Sequence, residues 1–217
     1  MKIGIIGTGI VGRTLAIGFL NLGHDVLLGT RNIQKEDVKK FLSENSRALA
    51  GSFNDAAKFG DIIVLAVAGK IAKEAIDMTE KINYSGKTVI DTTNPISQEP
   101  AQNGVLKYFT QQNDSLGEQI QKWLPEAHIV KCFNSVGNTF MINGKQFGNI
   151  LPTMFICGNN AEAKEKVTDI LTAFNWETED CGMIEASRAI ESLCVLWCIP
   201  GFLHNKWMHA FKLLRKA

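Results

Sequence analysis

A glycine-rich turn near the start of the chain constrains the fold more than any other sequence feature. It lies between an apolar run at residues 2–6 and a segment at residues 10–22 whose apolar side chains recur at helical spacing. The turn reads Gly7-Thr8-Gly9-Ile10-Val11-Gly12. Gly23 follows the helical segment, where a glycine commonly ends a helix, and a second apolar run starts at Val26. Strand, glycine turn, helix and strand occur in this order in a dinucleotide-binding unit.

Each glycine of the turn has a physical reason for its position. Gly7 permits a tight turn out of the strand, Gly9 lets a pyrophosphate approach the backbone, and Gly12 lets the helix pack close to the sheet. The helix N-terminus offers unpaired N–H groups and a partial positive charge to the phosphates. The alternative is a glycine-rich turn in an α/β protein that binds no ligand. The position of the motif, directly after a strand and at a helix start, favours the dinucleotide site.

The end of the second apolar run predicts which dinucleotide binds. Sites that select NAD place an Asp or Glu there, which accepts hydrogen bonds from the ribose 2′-hydroxyl. Here Thr30, Arg31 and Asn32 occupy that corner, Lys35 follows, and no carboxylate lies between Gly29 and Glu36. Such hydroxyl, amide and cationic groups bind the 2′-phosphate of NADP, which a carboxylate would repel. We therefore expect NADP(H); the alternative is that Arg31 and Lys35 are solvated charges at a helix start.

The composition excludes several classes of partner. The 217 residues include 23 Lys and Arg against 22 Asp and Glu, which gives a net charge of +1. With this balance we expect no electrostatic binding to nucleic acid or to an anionic membrane. The first apolar strand begins at residue 2, and the longest apolar run, at residues 193–203, contains Pro200 and Gly201. We therefore expect no signal peptide and no membrane span, and a small molecule as the partner.

The cysteines indicate a reducing compartment. Their number, five, is odd and they form no close pairs suited to a disulfide framework, so we predict a cytoplasmic protein. Cys194 and Cys198 lie one helical turn apart near His204, but this spacing matches no common zinc pattern. Small buried apolar side chains are the better interpretation of most of these cysteines, and no metal site is predicted.

Strand-like and helix-like segments alternate along the rest of the chain. Apolar or β-branched runs predict further strands at residues 48–53, 61–67, 88–93, 129–133, 153–157 and 176–181. Segments with helical character separate them, at residues 34–45, 54–59 (capped by Asn54 or Asp55), 71–82, 115–124, 160–174 and 184–214, the last broken at Pro200-Gly201. This alternation predicts an α/β fold with a doubly wound, mostly parallel sheet, the NAD(P)-binding Rossmann fold.

We predict two parts, a dinucleotide-binding domain at residues 1–182 and an apolar, aromatic helical segment at residues 183–217. This C-terminal segment either closes over the domain as a lid or forms the interface of a homodimer.

Polar or small residues follow five of the predicted strands. They lie at residues 7–12, 30–35, 66–70, 92–97 and 134–137. Because ligands bind doubly wound sheets at the carboxyl ends of the strands, these clusters predict one shared site. Small residues in the segment Ala68-Gly69-Lys70, at the end of the strand predicted at residues 61–67, leave room for a flat ring or a ribose. Pro95 favours an extended backbone at Asn94, which directs the Asn94 amide toward the cofactor.

Several motifs together resemble one known family. They are residues 7–12, Gly29-Thr30-Arg31-Asn32 with Lys35, Asp91-Thr92-Thr93-Asn94-Pro95, Val130-Lys131-Cys132-Phe133-Asn134-Ser135, Phe155-Ile156-Cys157-Gly158 and Asp180-Cys181-Gly182 with Ala186-Ser187-Arg188. This set resembles the NADP oxidoreductases typified by F420-dependent NADP reductases. The N-terminal domain of six-transmembrane ferric reductases is similar at the same positions.

The resemblance implies roles for individual residues. Thr8, Ile10 and Val11 would line the pyrophosphate. Thr30, Arg31, Asn32 and Lys35 would hold the 2′-phosphate, and Ala66, Val67, Ala68, Asn94 with Pro95, and Asn134 would surround the nicotinamide. The implied reaction is hydride transfer between NADP(H) and a flat acceptor, either F420 or a flavin. Such a step depends on stacking geometry more than on an acid or base, in agreement with a sequence that lacks a Tyr-x-x-x-Lys pair and a Ser–His–Asp set.

Two alternative functions remain open at this stage. One is the reduction of a small imine or carbonyl substrate, with the C-terminal helices shaping a pocket as in pyrroline-carboxylate reductases. The other is an NADP(H)-sensing module without turnover. His204 and His209 could donate to a substrate, but a role in the core or an interface is the better interpretation.

Overall fold

The computed structural model describes residues 1–216. These residues form one mixed β-sheet with helices on both faces. Within these residues the sheet has eight strands: β1 (Lys2–Ile6), β2 (Asp25–Gly29), β3 (Ala48–Gly51), β4 (Ile62–Leu65), β5 (Thr88–Asp91), β6 (His128–Lys131), β7 (Thr153–Gly158) and β8 (Glu177–Asp180). Their order is β3-β2-β1-β4-β5-β6-β7-β8, and the one antiparallel pairing among them joins β6 to β7. The predicted doubly wound, mostly parallel sheet is confirmed. Its strand order reverses between β1 and β4, where such sheets bind ligands.

Seven α-helices flank the sheet within the described residues: α1 (Ile10–Asn21), α2 (Glu36–Glu44), α3 (Phe53–Phe59), α4 (Ala72–Asp77), α5 (Leu116–Trp123), α6 (Ala161–Ala173) and α7 (Ser187–His204). Short 3₁₀ turns lie at Gly69–Ile71, Lys81–Tyr84, Asn138–Phe140, Gly144–Phe147 and Ile184–Ala186.

Apolar side chains form a core on each face of the sheet. On one face, Phe19 of α1 and Leu171 of α6 belong to the same cluster as Ile5. On the other face, α3, α4 and α5 cover a cluster that includes Ile63 and Ile120. Alternate side chains of the central strands therefore point to opposite layers, as expected for strands buried on both faces.

Two helix predictions need correction. The single helix predicted at residues 71–82 is a short α4 followed by a separate 3₁₀ turn, because the Thr79 hydroxyl donates to the Ile76 carbonyl, 2.6 Å away, at the end of α4. Asn54 does not cap α3; its Oδ1 accepts from the Glu80 backbone N–H at 2.9 Å. Ser52 is the cap, and Asp55 completes a capping box with it.

The C-terminal segment also differs from the prediction. Helix α7 continues through Pro200 and ends at His204, and no helix follows it up to residue 216, the last described position. The break falls later because Asn205 takes a left-handed conformation (φ +52°) and turns the chain back, so that Trp207 packs on Gly201. A side chain at Gly201 would lie 2.2 Å from the Trp207 ring, so the turn requires a glycine there. The division after residue 182 stays a prediction, and its last residue, Ala217, lies outside the described residues.

The segment Ile184–His204 is long and apolar enough to cross a membrane by length and composition, with a mean hydropathy of 1.3. By this criterion the prediction that no segment reaches that length is wrong. The prediction considered only the uninterrupted apolar run, whereas the helix begins earlier and includes Glu191. A core helix of a soluble protein meets the same criterion, and Glu191 is buried in an ion pair with Lys131.

Candidate functional site

The glycine turn connects β1 to α1 at the point where the strand order reverses. Gly7 has a φ of +123°, a conformation that L side chains rarely adopt. A Cβ at Gly12 would lie 2.3 Å from the Gly7 carbonyl oxygen, so the third glycine allows helix and turn to touch. A Cβ at Gly9 would meet no atom of the described residues within 4 Å. The space above Gly9, at the N-terminus of α1, is therefore open to a ligand.

A cavity of about 340 Å³ opens beside this turn, at the ends of β1 and β2. It gathers most of the predicted site residues: Gly7, Thr8, Gly9, Thr30, Arg31, Asn32, Lys35, Ala66, Val67 and Ala68, together with Phe53 and Ile71. We call it the adenosine-side cavity. The wall formed by residues 30–35 is cationic and hydroxyl-bearing, and the rest of the lining is mostly small or apolar.

The loop that carries the cationic wall holds itself in shape. Thr30 Oγ1 accepts from the Asn32 backbone N–H at 3.2 Å, and Asn32 Oδ1 accepts from the Gln34 N–H at 2.9 Å. Since the Asn32 oxygen is used within the loop, its NH₂ group is the part that remains for a ligand. A loop whose remaining polar groups are hydrogen-bond donors suits an anionic ligand.

Carboxylates neutralise the cations of this cavity. Arg31 Nη1 lies 3.3 Å from Glu74 Oε1, and Lys35 Nζ lies 3.3 Å from Asp37 Oδ2. The Arg31–Glu74 side chains are each more than half exposed, at 55% and 58%. Glu74 was not predicted, because it lies 43 residues from Arg31 along the chain. Its position in the first turn of the helix after β4 was the available signal, because that turn also lies at the ligand edge of the sheet.

A second cavity of about 430 Å³ continues from the first along the strand ends. The two share four residues, Gly9, Ala66, Val67 and Ala68, so they form one groove. The rest of its wall is mostly apolar or hydroxyl-bearing: Ile10, Val11, Gly69, Lys70, Thr92, Thr93, Asn94, Ile96 and Ser97. We call it the nicotinamide-side cavity, after the predicted orientation of the dinucleotide.

Two of the remaining predicted residues, Pro95 and Asn134, are not part of the wall of either cavity. Asn134 is 4% exposed, and its Nδ2 donates to Asn94 Oδ1 at 3.0 Å and to the Ile190 carbonyl at 2.9 Å. Asn94 Nδ2 donates in return to the Asn134 carbonyl at 2.8 Å. The Pro95 carbonyl accepts a hydrogen bond from the Phe109 N–H. The structure therefore gives Asn134 contact with Asn94 rather than a place in the wall.

The backbone just before Asn134 is strained. Phe133 is fully buried with a φ of +62°, which is uncommon for a bulky residue. This conformation turns the chain at the end of β6 and brings the Asn134 amide to Asn94. Such strain persists where the surrounding structure over-determines it, as at functional sites.

Side chains that could hold a metal do not cluster in residues 1–216: no three His, Cys, Asp or Glu lie close enough together. His209 stacks on Trp197 with ring centroids 5.0 Å apart, and its Nε2 lies 3.0 Å from the Trp197 carbonyl. Trp197 Nε1 donates to the His209 carbonyl in return, which supports the interpretation of His209 as a packing residue.

Comparison with known proteins agrees with this geometry. The family model described as "NADP oxidoreductase coenzyme F420-dependent" matches residues 2–95. The structure of a candidate F420-dependent NADP reductase from Arthrobacter sp. FB24 is similar over 99% of this chain and 100% of that one, with 30% identity and a TM-score of 0.93. The chain belongs to this family of NADP oxidoreductases. The resemblance stated from the motifs and the predicted cofactor class, NADP(H), are confirmed.

Curated relatives of this family member include two kinds of protein. The F420-dependent NADP reductase of Methanothermobacter thermautotrophicus is 24% identical over 90% of this chain and 87% of its own length. Metalloreductase STEAP3 of Rattus norvegicus is 26% identical over 93% of this chain. The chain spans only 39% of that metalloreductase, whose name therefore describes a considerably longer protein.

Proposed function

We propose that this family member is an oxidoreductase that transfers a hydride between NADP(H) and a flat, flavin-like acceptor, either F420 or a flavin. The observation that carries the proposal is the single groove formed by the two cavities, cationic at one end and mostly apolar at the other. A dinucleotide lying along the strand ends would place its 2′-phosphate at the first end and its nicotinamide at the second.

The adenosine-side cavity fits the extra phosphate of NADP(H). Arg31 would bind it through its planar fork of donors, Lys35 as a point charge, and Thr30 and Asn32 by hydrogen bonds. Phosphate competes with Glu74 for Arg31, so we expect this exposed ion pair to open on binding. The pyrophosphate would lie above Gly9, against the backbone of Thr8, Ile10 and Val11, where the helix N-terminus favours negative charge.

The nicotinamide-side cavity suits a hydride-transfer step. The nicotinamide supplies or receives the hydride when it is bound. Ala66 to Ala68 leave a flat surface on which a ring can lie, and Asn94 faces the same space. Among the described residues of its wall, only Lys70 is charged at neutral pH. The wall therefore orients two rings and excludes water from between them, and the acceptor ring exchanges its proton with solvent.

The test is an assay of NADPH oxidation with purified protein and a panel of acceptors: F420, FMN, a ferric chelate and a cyclic imine. We expect turnover with F420 or FMN and with NADPH in preference to NADH. Turnover only with the cyclic imine would replace the acceptor class. Tight NADPH binding without turnover on any acceptor would favour the sensing module instead. Localisation in the cytoplasm and assembly as a homodimer stay predictions.

A further inference from the structure

A buried ion cluster lies directly beneath the nicotinamide-side cavity. Lys131, at the end of β6, is fully buried, and its Nζ lies 2.6 Å from Asp91 Oδ2 and 2.8 Å from Glu191 Oε1. It also donates to the Thr93 carbonyl at 2.9 Å. Asp91 and Glu191 are 0% and 2% exposed, so these charges interact in a low-dielectric interior.

The cluster holds Thr93 at three of its polar groups. Asp91 Oδ1 accepts from the Thr93 backbone N–H at 2.9 Å and from its hydroxyl at 2.7 Å, while Lys131 binds the Thr93 carbonyl. Thr93 and Asn94 both line the cavity. The Thr93–Asn94 peptide is therefore fixed from below by charged groups that no ligand in the cavity would touch.

Glu191 connects this floor to two helices. Its carboxylate accepts hydrogen bonds from the Leu116 N–H at 3.1 Å and the Gly117 N–H at 2.9 Å. Both N–H groups lie in the first turn of α5, where backbone donors have no partner within the helix. Glu191 itself belongs to α7, and its backbone carbonyl accepts from the Tyr108 hydroxyl. The ends of β5 and β6 and the helices α5 and α7 thus meet at one group of three charges.

The cluster contains one ammonium group and two carboxyl groups. Burial raises the pKa of the Glu191 carboxyl, against the effect of the adjacent ammonium. Burial would lower the pKa of Lys131, but Asp91 and Glu191 outweigh it and raise that pKa. Because a buried ion pair is often no more stabilising than apolar residues of the same volume, stability alone is a weak reason for this arrangement.

We propose that Lys131 is a positioning residue for hydride transfer, acting through the Thr93–Asn94 peptide to fix the wall against which the nicotinamide lies. The inference rests on the proposed function for its effect on rate. It goes further in assigning a role to Lys131, Asp91 and Glu191, none of which contacts the groove. Removal of the ammonium slows hydride transfer and leaves the adenosine-side cavity unchanged.

The experiment compares Lys131→Met with a matched control, Glu118→Gln. Glu118 pairs with Arg188 at 2.6 Å and so also joins α5 to α7, but it does not contact Thr93. Three quantities are measured for each variant: kcat for NADPH oxidation, Kd for 2′,5′-ADP, and hydrogen-exchange protection of the Thr93 and Asn94 amides. The ligand 2′,5′-ADP reports only on the adenosine side.

For Lys131→Met we expect kcat to fall about 10- to 100-fold, because the Thr93–Asn94 peptide would no longer hold the nicotinamide in place. The Kd for 2′,5′-ADP should stay within about twofold of wild type. Amide protection at Thr93 and Asn94 falls as well. Glu118→Gln keeps kcat and that protection near the wild-type values. A folded Lys131→Met protein with wild-type kcat, or losses of equal size in the control, would overturn the proposal.

A second variant covers the case in which Lys131→Met does not fold. Glu191→Gln keeps an oxygen acceptor for one of the two α5 N–H groups and removes one charge next to Lys131. We expect a smaller loss of kcat in the same direction, and unchanged exchange at Thr93 would contradict the inference. If wild type oxidises no NADPH with any acceptor, the proposed function fails. The exchange comparison then still decides whether Lys131 holds the Thr93–Asn94 peptide.

Discussion

The two ends of the groove are built in different ways. At the adenosine end, Arg31 and Lys35 are exposed and pair with carboxylates that a ligand can displace. At the nicotinamide end, Lys131 and its two partners are buried, and no ligand reaches them. Exposed pairs contribute little and rearrange at small cost, whereas buried charges are costly to unpair. The adenosine end can therefore exchange partners on binding, while the nicotinamide end keeps one geometry.

The largest effect is expected from unpairing the buried cluster. Lys131→Met leaves two buried carboxylates without a cation, which should lower the free energy of unfolding by about 3–5 kcal/mol at neutral pH. Urea unfolding measures this loss. Lys73→Met, which breaks a pair with Asp77 in which both side chains are 47% exposed, serves as control and should cost about 1 kcal/mol or less. Equal losses in the two variants would remove the distinction between buried and exposed pairs.

The next effect concerns cofactor choice. Arg31→Asp replaces a donor to the 2′-phosphate with a repelling charge, so NADPH affinity should fall about 100-fold and NADH affinity much less. Calorimetric titration of both cofactors measures the difference. Lys39→Asp makes the same charge change on the exposed face of α2, away from the cavity wall, and should alter neither affinity appreciably. If both cofactors lose affinity equally, Arg31 does not contact the 2′-phosphate.

A smaller effect tests whether Glu74 competes with the phosphate. Glu74→Gln removes the carboxylate that holds Arg31, so NADPH affinity should rise, by about fivefold or less because the pair is exposed. Asp77→Asn, which breaks the exposed pair with Lys73 on the same helix, should leave the affinity unchanged. Weaker NADPH binding in Glu74→Gln would mean that Glu74 orients Arg31 for the phosphate.

The smallest effect is a pH dependence at the helix α5 N-terminus. The hydrogen bonds from Arg188 lower the pKa of the Glu118 carboxyl. A lowered pKa in the folded state adds stability above the ordinary glutamate value, about pH 4.3, and this contribution is lost as the pH falls through the folded-state pKa. Urea midpoints should therefore separate wild type from Glu118→Gln at neutral pH and converge in acid. A difference that grows in acid would contradict this sign.

The sequence predicted the adenosine end better than the nicotinamide end, for a physical reason. Residues 7–12 and 30–35 act within one strand–turn–helix–strand unit, so spacing alone brings them together. Glu74 and Glu191 reach their partners only through the sheet topology, 43 and 60 residues away from Arg31 and Lys131. One signal was available: a lysine inside the otherwise apolar strand sequence at residues 129–133 requires a buried partner.

The predicted elements failed where side chains compete with the backbone. The hydroxyl of Thr79 ended α4 early, and Ser52 rather than Asn54 capped α3. The C-terminal helix did not break at Pro200-Gly201. The chain reverses only at Asn205, where the turn lets Trp207 pack on Gly201. Such contacts form only when the chain folds, so helical periodicity in the sequence does not predict them.

A crystal structure of the protein with NADP⁺ would decide whether the dinucleotide lies along the groove, because it locates both of its ends at once. We expect the 2′-phosphate within hydrogen-bond distance of Thr30 and Arg31, with the Arg31–Glu74 pair opened, and the nicotinamide against Ala66 to Ala68 and Asn94. A 2′-phosphate in solvent, or a nicotinamide bound outside the groove, would contradict this expectation.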